Sequence, residues 1–463
     1  MRGIWLSALL LIICSVVSFA QEQKFYIADI EISGNEKTKP QTILREFRYS
    51  VGDSIEESDL CSEIQNFTDN LSRLMLFNGV VVSYSPLDST GSIAVKVNVV
   101  ERWYYWVYPI LEIADRNLTS YFYYKDFKKI NYGAAFDWLN FCGRNEMLSF
   151  KIRLGYKEHY AVSYQKPNIG RYKRSGLWIK ADYFRQKKDI AYISECKPVY
   201  AEDENAYIRG MVEAGVGYIF RPQVNYDFLL SLTYQNIVSR DSLLAEGGRA
   251  VQNFIVPSFL FDYDTRNSKV CPTSGLHANL GVKIFTELES STFAFASLGF
   301  EYNCPVYRER FFYHGAVMHS QFFGDYGSIP TNKRIELCRD NLIRGFEYYY
   351  ILGKNFSAFQ NTFSVVILKR RDFMLPKWIP SKFRNPYIQI NVDMFADLAY
   401  CSNFAPNFDA ENPLAYKPIY SAGAGLSFET YYDRLLKVYV AYNGNFNFVG
   451  VFVDYKTPIY KRF

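Results

Sequence analysis

From Trp103 onward the chain changes character at every second residue, and this alternation constrains the fold more than any motif does. In the stretch 148–156, Leu148, Phe150, Ile152, Leu154 and Tyr156 are apolar, whereas Ser149, Lys151, Arg153 and Gly155 are small or charged. The stretch 387–397 repeats the pattern, with Ile388, Ile390, Val392, Met394 and Ala396 set against Gln389, Asn391, Asp393 and Asp397. Successive strand side chains point to opposite faces, so one face meets lipid or a core and the other meets water. Sixteen such strands are predicted, beginning near Tyr104, Asn131, Met147, Tyr160, Gly176, Ile208, Tyr226, Asn253, Gly275, Phe293, Phe311, Ser357, Tyr387, Tyr420, Leu435 and Asn447. Residues 102–463 allow about 23 residues per strand and connection, which suits membrane strands of ~9–11 residues joined by alternating short turns and longer loops.

Composition narrows the choice. The 463 residues are 49% hydrophobic, 18% aromatic and 21% charged, which excludes a disordered chain. Past the first twenty residues no uncharged apolar run approaches the ~20 residues of a spanning helix. A formal charge of +5, from 52 basic and 47 acidic residues, gives no footprint for nucleic acid. A soluble β-sandwich or solenoid would also alternate. Three features weigh against it: an export signal, inward positions that are small and charged, and a Tyr/Phe excess suited to aromatic girdles at membrane interfaces. Closure into a barrel satisfies the backbone of strands in lipid. The prediction is therefore a mainly β protein, a sixteen-stranded antiparallel transmembrane β-barrel over 102–463. Pro257, inside the eighth strand, removes a ladder donor, and a bulge is expected there.

Residues 1–20 read as a secretory signal peptide: Arg2, an apolar run from Ile4 to Phe19, and small residues at Ser18 and Ala20. Seven cysteines remain beyond it (Cys61, Cys142, Cys196, Cys271, Cys304, Cys338 and Cys401), odd in number and without CxxC spacing. They are read as individual small hydrophobes rather than a disulfide framework or a zinc site. Residues 24–101 read as a small α+β domain of order β-α-α-β-β. It has an alternating strand 24–33 closing on Gly34-Asn35, helices at 40–47 and 56–76, and strands at 80–84 and 93–99.

At this point a family resemblance emerges. Ile30-Glu31-Ile32-Ser33-Gly34-Asn35, Gly52-Asp53, Leu74 to Val80, and the closing Val95, Val97, Val99 and Glu101 resemble a POTRA domain. The barrel resembles that of the BamA/TamA superfamily of outer-membrane assembly and translocation proteins. Three barrel motifs follow these segments in that family's order: Asn140-Phe141-Cys142-Gly143, then Tyr263-Asp264-Thr265-Arg266-Asn267 with Pro272 and Gly275, then Ile343-Arg344-Gly345-Phe346; Asp397, within Phe395 to Ala399, keeps the Asp of the family's thirteenth-strand motif. Two departures stand out. The acid usual in the twelfth strand, two residues after an Asn, is here Phe363 after Asn361, and the Gly of the thirteenth-strand motif is Ala399.

The resemblance implies an outer-membrane protein, with its N-terminal domain in the periplasm, that inserts or translocates polypeptides. Its partners would be unfolded outer-membrane or secreted polypeptides and the lipid bilayer, with room for accessory lipoproteins and no cofactor. The sequence leaves open a secretion pore for one dedicated cargo and a passive diffusion channel. Arg344, Gly345 and Phe346 fall between the eleventh and twelfth strands, where the family's sixth extracellular loop lies. A guanidinium folded into the lumen needs an acceptor, and Asp397 shares the inward parity of Gln389, Asn391 and Asp393, so a pair between Arg344 and Asp397 is expected. The seam between first and last strands is placed at Tyr104, Pro109 and Phe448. Proline suits an edge or a bulge, so either a lateral gate or a permanently closed barrel fits. Ile93, Val95, Val97 and Val99 are expected to offer a client-binding strand edge, and terminal Phe463 resembles an insertion signal. No GxSxG, HExxH or GxxxxGK[ST] motif occurs, and no catalytic, metal or cofactor residue is expected.

Overall fold

The computed structural model describes residues 24–88, 91–113, 130–169, 174–223, 225–241, 250–288, 292–308, 310–324, 333, 343–351, 353–402, 412–432 and 434–456. The signal segment 1–20, Cys338 and Phe463 lie outside them. The chain divides into two compact units, 1–101 and 102–463.

The first unit runs β1 (Lys24–Ser33), α1 (Pro40–Leu44), β2 (Ser54–Glu56), α2 (Glu57–Arg73), β3 (Phe77–Pro86) and β4 (Ser92–Glu101). Proline opens α1 at a position whose N–H would go unused. In α2, Glu57 and Asp59 sit in the first turn and Arg73 in the last, each complementing the helix dipole. Leu60, Ile64, Phe67 and Leu71 recur at helical spacing and are buried, and Phe67 stacks on Phe47 at 4.5 Å. Gly34 has φ +83°, and a Cβ there would strike the Val99 carbonyl oxygen at 1.9 Å, which explains glycine at that turn.

The sheet order β2-β1-β4-β3 corrects two expectations. The three-residue β2 was not predicted, being too short to show a period. More consequentially, β4 is interior, parallel to β1 and antiparallel to β3. Ile93, Val95, Val97 and Val99 are between 0% and 4% exposed. Their alternating branched side chains fill the core, so they present no edge to a client; the outer strands are β2 and β3.

In the second unit the barrel strands are β5 (Tyr105–Ile113), β6 (Ile130–Phe141), β7 (Glu146–Gly155), β8 (Lys157–Ile169) and β9 (Ser175–Gln186). A separate hairpin follows, β10 (Lys188–Ser194) and β11 (Lys197–Glu202). The barrel resumes with β12 (Arg209–Phe220), β13 (Tyr226–Ser239), β14 (Val251–Asp264), β15 (Gly275–Glu287), β16 (Thr292–Tyr307) and β17 (Phe311–Phe323). It ends with β18 (Asn355–Asp372), β19 (Tyr387–Ser402), β20 (Pro418–Thr430), β21 (Arg434–Asn443) and β22 (Phe448–Lys456). Together these form one antiparallel sixteen-stranded sheet, and each strand starts within three residues of its expected position. β5 and β22 are the two ends of the strand order, and among the described residues no ladder joins them.

Outward positions are large and apolar: Ile152, Leu230, Leu298, Phe363 and Val451 are all more than half exposed, and Phe150 is 43% exposed. Inward positions are polar and buried, including Ser149, Asp182, Ser231, Thr362, Asn391, Asp393 and Asp397. That contrast is what a strand needs with lipid on one side and a wet lumen on the other. The inward face is not uniformly polar, however. Phe254, Phe285, Phe293 and Phe322 gather on β14 to β17, with Phe285 and Phe293 stacked at 4.9 Å.

Pro257 causes no bulge. It lies opposite Leu232 in an unbroken register with β13, while the ladder to β15 skips Val256 and Pro257 and resumes unshifted between Ile255–Thr286 and Ser258–Lys283. The missing donor is absorbed on one side only.

Candidate functional site

The connection between β17 and β18 carries Ile343-Arg344-Gly345-Phe346, and its tip is fastened to the inward face of the barrel. Arg344 Nε donates to Asp397 Oδ2 at 2.8 Å, Nη2 to Oδ1 at 2.6 Å, and the Arg344 backbone N–H to Oδ2 at 3.2 Å. The remaining guanidinium edge donates to Thr362 Oγ1 at 2.9 Å and to the Asn361 carbonyl at 3.2 Å. Its face lies 4.0 Å over the Phe395 ring. The Asp397 side chain is 0% exposed and that of Arg344 18%. A fork of donors on a planar carboxylate is the geometry in which arginine outperforms lysine.

The acid expected in the twelfth strand is replaced without disturbing this centre. Phe363 points outward and is 52% exposed, while its inward neighbour Thr362 supplies the hydroxyl that Arg344 uses. Asp397 is thus the carboxylate that answers the guanidinium charge.

The residues after Arg344 extend the attachment toward the last strands. Gly345 has φ +87°, and a Cβ there would meet the Ala441 Cβ at 3.2 Å. Its carbonyl accepts from Asn443 Nδ2 at 3.0 Å. Tyr439 Oη donates to Glu347 Oε1 at 2.6 Å. The Tyr348 ring meets Phe448 and Phe452 of β22 at 5.8 and 5.5 Å. Phe346 is buried in an apolar cluster with Cys196, Ile343, Phe356, Cys401 and Ile419.

That cluster includes an element that sequence reasoning missed. Cys196 sits at the tip of the β10–β11 hairpin, and its carbonyl accepts the Tyr350 N–H at 2.7 Å. Its thiol donates to Asn412 Oδ1 at 3.3 Å, and Asn412 Nδ2 donates to Cys401 Sγ at the same distance. Burial, with Cys401 beside it, pushes the Cys196 thiol up to about 12. The hairpin therefore folds onto the loop tip. Its strands of seven and six residues lie inside a loop, too short for their period to separate from the surroundings. At its base Asp189 pairs with Arg209 at 2.8 Å, both nearly buried.

The opposite end of the lumen is also crossed. In the turn after β14, Arg266 grips both oxygens of Asp264 at 2.9 Å and Glu301 at 2.8 Å. Cys271 of the same turn accepts a contact from Asn391 Nδ2 on β19 at 3.9 Å, and the path between these strands runs through the interior. Asp262, Asp264 and His277 come within 4.8 Å of one another, but Asp264 is already committed to Arg266 and His277 lies 2.8 Å from Asp262. They are read as an ion-pair network. His314 faces inward to Asn303 at 2.7 Å and His319 outward to Ser357 at 2.8 Å, as their spacing requires.

At the seam, Tyr104 is 2% exposed, Pro109 lies opposite Ala134 of β6, and Phe448 opens β22 opposite Asn443. Trp103 and Trp106 join a ring cluster with Phe383 and Tyr432. Tyr432 Oη accepts the Trp103 N–H at 3.2 Å and donates to the Lys382 carbonyl at 3.0 Å. The start of β5 is thereby tied to the turns after β18 and β20. Of the remaining cysteines, Cys61 and Cys142 are exposed rather than buried hydrophobes.

Comparison with known proteins is consistent with this geometry. An Omp85 superfamily domain model matches residues 140–430, and a POTRA model, described as a surface antigen variable number repeat, matches residues 25–102. No curated protein matches the chain. Among solved structures, BamA from Haemophilus ducreyi lacking POTRA domains 1–3 is 15% identical with a TM-score of 0.53, over 93% of this chain and 85% of that one. CdiB from Escherichia coli is 12% identical with a TM-score of 0.55, over 94% of this chain and 76% of that one. At these identities the likeness speaks to the fold.

Proposed function

This chain belongs to the Omp85 superfamily, and on that premise we propose that it inserts or translocates polypeptides, with the loop carrying Arg344 as a latch and the β5–β22 seam as a lateral gate. It is an outer-membrane protein whose N-terminal POTRA domain lies in the periplasm. The observation that carries the proposal is the fastening of the loop tip to β18, β19, β21 and β22 at once. A loop bonded in this way braces the wall on one side of the seam, so releasing it would loosen the last strands relative to the first. Pro109 brings a residue without an N–H into an end strand, which supports a weak closure. An incoming strand would then pair with the opened edge by β-augmentation.

In the POTRA domain the capture surface is proposed along β3, an outer strand of its sheet. Depletion in the native host tests the reading. Loss of many barrel proteins from the outer membrane is the outcome expected of an assembly factor. Loss of one secreted cargo alone would assign a dedicated secretion pore. Unchanged protein content with slower uptake of small solutes would assign a diffusion channel and overturn the proposal.

A further inference from the structure

The barrel's longest strand, β18, leads into a turn, 373–386, that is itself an ordered hairpin. The Phe373 N–H donates to the Pro386 carbonyl and the Leu375 N–H to the Arg384 carbonyl, both at 2.8 Å. Arg384 Nη2 clasps the far end, donating to the carbonyls of Lys377 and Ile379 at 3.1 Å each. Held in this frame, Met374 and Trp378 stand 84% and 82% exposed, with Phe373 at 45%. An ordered scaffold that presents two of its largest apolar side chains to solvent marks an interaction surface.

The surroundings indicate the partner. Residues 367–386 hold six basic residues, Lys369, Arg370, Arg371, Lys377, Lys382 and Arg384, against the single acid Asp372. The hairpin also continues the outward apolar stripe of β18, where Phe359, Phe363 and Ile367 are 43%, 52% and 63% exposed. Exposed Trp and Met among Lys and Arg, continuous with a lipid-facing stripe, is the make-up of an interfacial anchor. An extended polypeptide would need a strand edge or a pocket. Here the two arms bond each other, leaving apolar tips and cations on offer.

We propose that the 373–386 hairpin engages the periplasmic leaflet, with Met374 and Trp378 entering the headgroup–acyl boundary and Lys369, Arg371 and Lys377 holding anionic phospholipid phosphates. The inference rests on the barrel's place in the outer membrane and not on what the barrel transports. The ring cluster that ties Phe383 to Trp103 and Trp106 fixes the hairpin to the rim beside the start of β5. Lipid engaged there is lipid near the seam.

The test is photo-crosslinking of the full chain in nanodiscs of phosphatidylethanolamine and phosphatidylglycerol, with p-benzoylphenylalanine placed at Met374 or Trp378. Phe363, on the lipid-facing stripe, is the positive control, and Val81 in the POTRA domain the negative one. Phospholipid adducts at 374, 378 and 363 but not at 81 are expected, with phosphatidylglycerol enriched over its share of the disc. Enrichment should fall about five-fold for each of Lys369→Gln, Arg371→Gln and Lys377→Gln. Adducts at 363 without any at 374 or 378 would overturn the inference. So would adducts at those two sites that form only to an added unfolded polypeptide. Loss of the adduct at 363 as well would remove the membrane location on which it stands.

Discussion

Replacing Arg344 with alanine removes the charge that answers Asp397. The carboxylate is fully buried and takes two side-chain donors and one backbone donor from Arg344. Removing one partner of a buried ion pair costs about 3–5 kcal/mol, because the remaining charge is left without compensation in a poor solvent for it. At about 1.4 kcal/mol per decade, that lowers the ratio of seated to unseated loop by roughly a hundred-fold to a few thousand-fold. Arg344→Lys should fall between, since a single ammonium cannot reach Asp397, Thr362 and the Asn361 carbonyl together. The assay is protease protection of the loop in outer-membrane vesicles, read alongside the temperature at which the folded band is lost on a seminative gel. In a double-mutant cycle with Asp397→Ala, the double variant should be less perturbed than the sum of the single ones. Additivity within about 0.5 kcal/mol would refute a direct pair, and full protection in Arg344→Ala would refute the latch.

Three further outcomes follow from the same geometry. Gly345→Ala should weaken loop protection by about 1–2 kcal/mol, because φ +87° strains an L-residue and the new methyl approaches the Ala441 Cβ at 3.2 Å; an unchanged melting profile would contradict this. Maleimide labelling of the folded protein should modify Cys61 and Cys142 and spare Cys196 and Cys401, and sparing of Cys196 should persist to pH 9 because burial holds its thiol near 12. Rapid labelling of Cys196 in folded protein would mean that the hairpin does not cover the loop tip. A photo-crosslinker at Val81 on the outer strand β3 should trap more unfolded client than one at Lys96 on the interior β4, and equal yields would contradict capture along β3.

The barrel was legible because its physics is local. A strand with lipid outside and water inside must alternate, so Leu148 to Tyr156 and Tyr387 to Asp397 declare their faces residue by residue. The inward parity of Asp397 could be counted from the same alternation, and with it the acceptor of the loop arginine. What the pattern did not contain was tertiary placement. Val95 and Val97 alternate equally well in a central strand and an edge strand, and only the pairing of β4 with both β1 and β3 decides between them. The contact of Cys196 with Asn412 joins residues more than two hundred positions apart, and no spacing rule reaches that far. At Pro257 the expected bulge is absent because a proline can be absorbed by skipping one ladder without adding a residue.

The most direct measurement reconstitutes the purified full chain in liposomes and follows the folding of a urea-denatured outer-membrane barrel, with cysteines introduced to lock β5 to β22. A lateral gate predicts folding faster than in empty liposomes, arrest when the lock is oxidised, and recovery on reduction. Folding no faster than in empty liposomes, or acceleration indifferent to the oxidised lock, would contradict it.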